Sequence, residues 1–158
     1  MGNLTEEERR VWRSWVTGTR VLSERIDRRL REARGISHSD FEILDLLVDA
    51  DGSTLRMNEL ADQSVSSRSR LSHQIRRLEK SGLVERTHCP VDGRGVCVTP
   101  TRRGRKIQQA TAGDFAASIR ESFFKPLTQR EIDSIIRTCD KLTEAAGPGE
   151  PEAQQLEA

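Results

Sequence analysis

Along residues 5–33, Val11, Trp15, Thr19, Leu22, Ile26, Leu30 and Ala33 recur at spacings of three and four. That is the period of a helix with one sheltered stripe. Gly35 ends the pattern. So long an amphipathic stripe near the start of the chain predicts a partner surface, part of it on another subunit. A second helix is expected from Ser39, with Glu42 three positions on as a capping box and Phe41, Leu44, Leu47 and Val48 inward. Asp51-Gly52 supplies turn chemistry. In the short segment 55–63, Met57-Asn58-Glu59-Leu60-Ala61 predict about two turns of helix with Leu60 and Ala61 inward. Ser66 or Ser67 then caps a helix running to Ser81, stopped by Gly82. Residues 83–89 and 96–99 alternate as strands around a Gly- and Asp-containing turn, which makes a β-hairpin. A long helix follows from Thr101 to about Phe124, broken by Pro126. Thr128 and Glu131 open a last helix with Ile132, Ile135, Ile136, Cys139 and Leu142 as its stripe and Cys139 as a core residue. From Ala145 the composition is that of a flexible tail.

The helix 67–81 carries the chemistry. At about 100° per residue, Leu71, Ile75 and Leu78 share a narrow arc. Ser69, His73, Arg76 and Lys80 then fall opposite, flanked by Arg70, Ser72 and Arg77. A merely solvated face would mix Glu with Lys in pairs, yet Glu79 is the only acid in this stretch. A short helix, a tight turn and a second helix with such a face fit a helix-turn-helix, whose second helix enters the major groove. Ser66, Ser67, Arg68, Ser69 and His73 stand near the N-terminal end that meets base edges, and Arg68 suits bidentate reading of guanine. Arg70, Arg76 and Arg77 suit phosphates. Arg86 extends the basic surface onto the hairpin, and Arg94 at the hairpin tip suits the minor groove. Asp92 would hold an arginine in a fixed pose or cap the turn.

The net charge of +1 conceals this pattern until it is divided along the chain. Residues 65–105 contain ten Lys/Arg against three acids, and the rest of the chain is correspondingly acidic. A local basic block is the footprint of polyanion binding. The 158 residues suit one domain with an oligomerisation element. A polar first segment and the lack of any apolar run near 20 residues predict a soluble cytoplasmic protein without a signal peptide. Cys89, Cys97 and Cys139 lack metal spacing and form no disulfide framework, which suits a reducing compartment. His38, His73 and His88 are scattered, so no metal or other cofactor is expected. There is no P-loop, dinucleotide turn or nucleophile elbow, and no Tyr, so no enzyme is expected. A protein-docking winged helix would carry apolar anchors where this chain carries Arg, Ser and His.

The runs Leu55-Arg56-Met57-Asn58-Glu59-Leu60-Ala61, Ser67-Arg68-Ser69-Arg70-Leu71-Ser72-His73-Gln74-Ile75, Leu78-Glu79-Lys80-Ser81-Gly82-Leu83-Val84 and Asp92-Gly93-Arg94-Gly95, with Val98-Thr99 and Gly104, resemble the MarR family over about residues 37–106. The resemblance implies a mainly α fold with a small β-hairpin (α+β). Its winged helix-turn-helix core over 37–104 is flanked by dimerisation helices at 4–36 and 105–144, with a tail at 145–158. It implies a homodimeric transcription regulator, usually a repressor, that binds a palindromic DNA operator and is released by a phenolic or other small organic effector. By the same analogy Asp92 steadies Arg94. The chain departs from the family at Pro100 and at Arg102-Arg103, where the family commonly has an acidic residue. The two arginines offer extra phosphate contacts at the base of the wing.

Two regulatory readings stay open. Trp12, Trp15, His38, Phe41 and Phe115 either line an effector pocket or are ordinary core aromatics. Cys89 and Cys97 face each other in a hairpin centred on Gly93, with Arg86 and His88 near enough to lower a thiol pKa. They are either a redox pair that stiffens the wing or two small strand residues.

Overall fold

The computed structural model describes residues 3–89 and 95–146. Asp92, Arg94 and residues 147–158 of the expected tail lie outside the described residues.

Helix α1 (Glu6–Arg34) opens on a reciprocal capping box. The Glu8 N–H donates to Thr5 Oγ1 at 3.2 Å, and the Thr5 N–H donates to the Glu8 carboxylate at 2.6 Å. Two backbone donors at the helix start are thereby satisfied reciprocally. The helix stops at Gly35 with φ 69°, a left-handed conformation that costs glycine nothing. Helix α2 (His38–Asp49) begins earlier than the Ser39–Glu42 box predicts. Ser37 is its cap, accepting from the Asp40 N–H at 3.1 Å, and Asp27 of α1 accepts the His38 N–H at 2.8 Å. A neighbouring helix thus sets the start of α2, which local spacing does not reveal.

The short helix stands where the spacing places it, from Met57, but the residues before it are not loop. Leu55–Arg56 form a strand, β1, and only Met57–Gln63 are helical (α3). Helix α4 (Arg68–Lys80) leads into β2 (Val84–His88) and β3 (Val96–Pro100). The expected hairpin is therefore a three-stranded antiparallel sheet of order β1-β3-β2, with Leu55 opposite Val98. Helix α5 (Arg102–Ile119) passes into a π turn, Arg120–Phe124, closed by the Lys125 N–H on the Arg120 carbonyl at 2.8 Å. Helix α6 (Gln129–Ala146) follows. At its start Thr128 donates both its N–H and its hydroxyl to Glu131.

One core joins Ile26 and Leu30 of α1, Phe41, Ile43, Leu44 and Leu47 of α2, Leu60 of α3, Leu71, Ile75 and Leu78 of α4, and Leu55, Val84 and Val98 of the sheet. Val48 is half-buried. The stripe on α1 divides: its second half enters this core, while Val11 and Trp12 remain 62% and 61% exposed. Helix α6 also presents Ile136 and Leu142 to solvent. Cys139 is exposed, contrary to its expected place in a core, because the stripe of α6 finds no covering element among the described residues. No helix of the described residues is long and apolar enough to cross a membrane.

Candidate nucleic-acid interface

Helix α4 is anchored by Leu71, Ile75 and Leu78, all buried to 2% exposure or less. Ser67 caps it, its hydroxyl accepting the Arg70 N–H at 3.3 Å. Anchoring three residues on one arc obliges the other side to face out. Arg68, Ser69, Arg70, His73, Arg76 and Lys80 are all exposed, and Ser72 is half-buried on the flank. Ser66 is half-buried, and its hydroxyl donates to the Ser64 carbonyl at 3.2 Å. The turn into α4 places Val65 at φ 48° and 93% exposed, an unfavourable backbone for a β-branched residue.

Two of the expected contact residues are tied to other side chains. Arg77 is exposed but its Nη2 donates to Asp40 of α2 at 2.5 Å, and Gln74 donates to the Ser39 carbonyl at 2.7 Å. The first turn of α2 thus grips the middle of α4. Arg86 donates to Glu79 through Nη2 at 2.6 Å and Nε at 3.0 Å. That hydrogen bond holds the Glu79 carboxyl below the usual carboxylate range. The acid of the basic helix is neutralised, and β2 is tied to α4.

Between α3, α4 and the neck of the wing runs a groove lined by Arg56, Met57, Asn58, Arg68, Ser72, Gly95 and Val96. Arg56 and Asn58 had no assigned role in the sequence reading. Their place beside Arg68 follows from the pairing of β1 with β3, and a two-residue strand has no period to betray it. Arg103 donates to the Ser81 carbonyl at 3.1 Å, and Arg105 donates to the Ser53 hydroxyl at 2.7 Å. Arg102 is exposed at the start of α5. The junction is tight: a Cβ on Gly104 would stand 2.1 Å from the Leu83 carbonyl oxygen.

Of the aromatic set, the fold gathers three. His38 stacks on Phe115 with centroids 5.3 Å apart, and Phe115 lies 4.8 Å from Phe41. Phe41 is fully buried in the core. Trp12 and Trp15 stand on the exposed half of α1, without a ring contact among the described residues.

Cys89 and Cys97 are joined by a disulfide. They are not directly opposed, because Thr87 is the partner of Cys97 and the Cys89 N–H donates to the Gly95 carbonyl. The hairpin is therefore not centred on Gly93, and the bond runs diagonally. Since successive strand residues alternate in face, Arg86 and His88 lie on the face opposite the sulfurs. The expected influence of those two residues on a thiol does not arise from this register.

The chain matches the MarR family model over residues 36–96. It is similar over 94% of its length, at 35% identity and a TM-score of 0.85, to Sco3205, a MarR family transcriptional regulator from Streptomyces coelicolor solved in complex with DNA, of which 96% is covered. It is similar at 31% identity and a TM-score of 0.84 to AbsC, another MarR family transcriptional regulator from that organism, with 92% and 97% of the two chains covered. An uncharacterised HTH-type transcriptional regulator of Bacillus subtilis (strain 168), YfiV, is 31% identical over 66% of this chain, which spans 63% of that protein's length. The exposed basic helix, the wing behind it and near full-length similarity to two regulators place this chain in the MarR family of transcriptional regulators.

Proposed function

We propose that the chain is a homodimeric repressor that binds a palindromic DNA operator. The observation that supports this most directly is α4, which buries Leu71, Ile75 and Leu78 and leaves Ser69, His73 and Arg76 exposed on the opposite face, with Arg68 and Arg70 exposed at its edges. A B-DNA major groove admits one such helix, and guanidinium and hydroxyl groups are the donors that base edges and phosphates accept. Arg68 and Ser69 read bases. Arg70 and Arg76 hold phosphates, and Arg77 does so while Asp40 keeps it in place. Arg56 and Asn58 contact the backbone or base edges beside Arg68.

The dimer forms through the first half of α1 and through α6. Val11, Trp12, Ile136 and Leu142 are exposed there, each more than half, and large apolar side chains in such numbers mark an interface. Two-fold symmetry then sets two copies of α4 about 34–36 Å apart, one turn of DNA, and makes the operator a palindrome. In this reading a small organic effector enters beside His38 and Phe115, which are half-buried where Phe41 is closed. It acts by shifting α2 against α5.

Binding-site selection with the full chain, followed by sequencing, tests the function. The expected result is a palindrome with half-sites about one helical turn apart. Recovery of no enriched sequence, with binding that ignores sequence at every salt concentration, overturns it.

A further inference from the structure

The disulfide between Cys89 and Cys97 lies in the wing, its two Cα atoms 5.2 Å apart and 8 positions apart in sequence. The ring it closes contains Asp92 and Arg94. Both cysteines are buried, at 3% and 5% exposure, although Glu85 to His88 of the adjoining strand are all exposed. Burial at the end of an exposed hairpin needs a local cause. Here Cys97 sits in register between Arg56 of β1 and Thr87 of β2, and the diagonal bond to Cys89 covers the remaining side. The crosslink also has a functional address. Gly95 and Val96, inside the ring, line the same groove as Arg68 and Ser72 of the recognition helix. The crosslink therefore adjoins the contact between wing and helix.

We propose that Cys89 and Cys97 are a reversible dithiol–disulfide couple that sets how tightly the wing engages DNA, with the oxidised form the tighter binder. The proposal rests on the DNA-binding reading above. Docking a loop on a duplex costs the freedom that the loop had in solution. A covalently closed ring has less freedom to lose than an open hairpin tip. Oxidation is by thiol–disulfide exchange with a low-molecular-weight disulfide. A thiolate at one cysteine attacks it and releases one small thiol, giving a mixed disulfide. The second cysteine, as thiolate, displaces the other small thiol. Two S–H bonds and one S–S bond are replaced by the Cys89–Cys97 bond and two S–H bonds on the small thiols. Two electrons and two protons pass from the protein to the oxidant, and reduction runs the same steps backward. Because both cysteines are buried, exchange requires the wing to open and is slow in the native state.

The test uses the full chain poised in glutathione buffers from fully reduced to fully oxidised. Mass spectrometry after alkylation reports the Cys89–Cys97 linkage, and fluorescence anisotropy reports the Kd for the selected operator. Non-reducing electrophoresis verifies that no crosslink joins two chains through Cys139. The expected result is a Kd about tenfold weaker in the reduced protein, with a midpoint that tracks the linkage. The Cys89→Ser/Cys97→Ser variant is expected to hold the reduced-state Kd in every buffer. Equal Kd values for the two forms of the unaltered chain overturn the proposal, as does failure of the linkage to form in oxidised glutathione. A redox response retained by the double variant overturns it as well. If neither form binds any duplex, the DNA-binding reading itself fails and this inference falls with it. Binding that is strong but redox-blind removes this inference alone.

Discussion

Arg68 and Arg77 sit on the same helix and are expected to fail differently. Arg68 is exposed at the first turn of α4, beside the groove to the wing. Arg68→Ala is expected to relax preference at one position per half-site and to weaken the best operator by about 1–3 kcal/mol. Arg77 is exposed and held in place by Asp40 of α2. Arg77→Ala is expected to weaken all sequences evenly and to reduce the slope of log K against log salt by about one. Selection on each variant, with Kd measured at several salt concentrations, separates the two. Equal losses on all sequences from both would refute the division between reading and anchoring. The residue scale also shows what periodicity is able to disclose. The inward and outward positions of α4 are legible because three leucine or isoleucine residues fall on one arc. That Arg86 neutralises Glu79 is not, since strand β2 folds back onto α4 only in three dimensions.

At the scale of elements, the joints are stricter than the helices. Gly104→Ala sets a methyl carbon 2.1 Å from the Leu83 carbonyl oxygen and 3.4 Å from Leu44 Cδ2. Backbone cannot yield as a flexible side chain does, so the substitution is expected to destabilise by about 3 kcal/mol or more, read as a fall in the denaturant midpoint. Helix ends give a second expectation. Glu8 and Glu131 are held below their ordinary value of 4.5, chiefly by the backbone N–H groups of Thr5 and Thr128. For Asp27, burial works upward, but the Arg31 guanidinium and the His38 N–H outweigh it and the carboxyl is lowered. A carboxyl lowered by folding binds fewer protons in the native than in the unfolded chain. Its contribution is therefore present above the unfolded value and is lost as pH falls through the folded one. Thermal stability is expected to be level near neutrality and to decline below about pH 4.5, a trend that calorimetry across pH 3–7 measures. The capping box of α6 was open to inspection because Thr128 and Glu131 lie three residues apart, but the same spacing at Ser39 and Glu42 misplaced the start of α2. Strand β1 and the start of α2 were not legible, because each is set by a distant segment.

On the scale of the whole molecule, the unpartnered apolar surface is the feature to account for. Trp12 and Val16 on α1 are 61% and 41% exposed, and Leu142 on α6 is 55% exposed. Trp12→Glu combined with Leu142→Glu is expected to shift the protein from dimer to monomer in analytical ultracentrifugation. Operator affinity should fall by about a hundredfold or more, because the second half-site then no longer binds as part of the same particle. A dimer that survives both charges would place the interface elsewhere.

The sequence by itself determined the order of the long helices, the outward chemistry of α4 and the membership that its motifs announce. These depend on spacings of three or four residues and on short motifs, which a chain carries locally. Only the tertiary structure decided that Leu55–Arg56 complete a sheet, that Asp40 holds Arg77, and that Cys89 meets Cys97 on a diagonal. It also decided that half of α1 is left without a cover among the described residues. Each of these joins residues far apart in the chain or depends on a strand register, and hydrophobic periodicity says which side of an element is apolar but never what will lie against it.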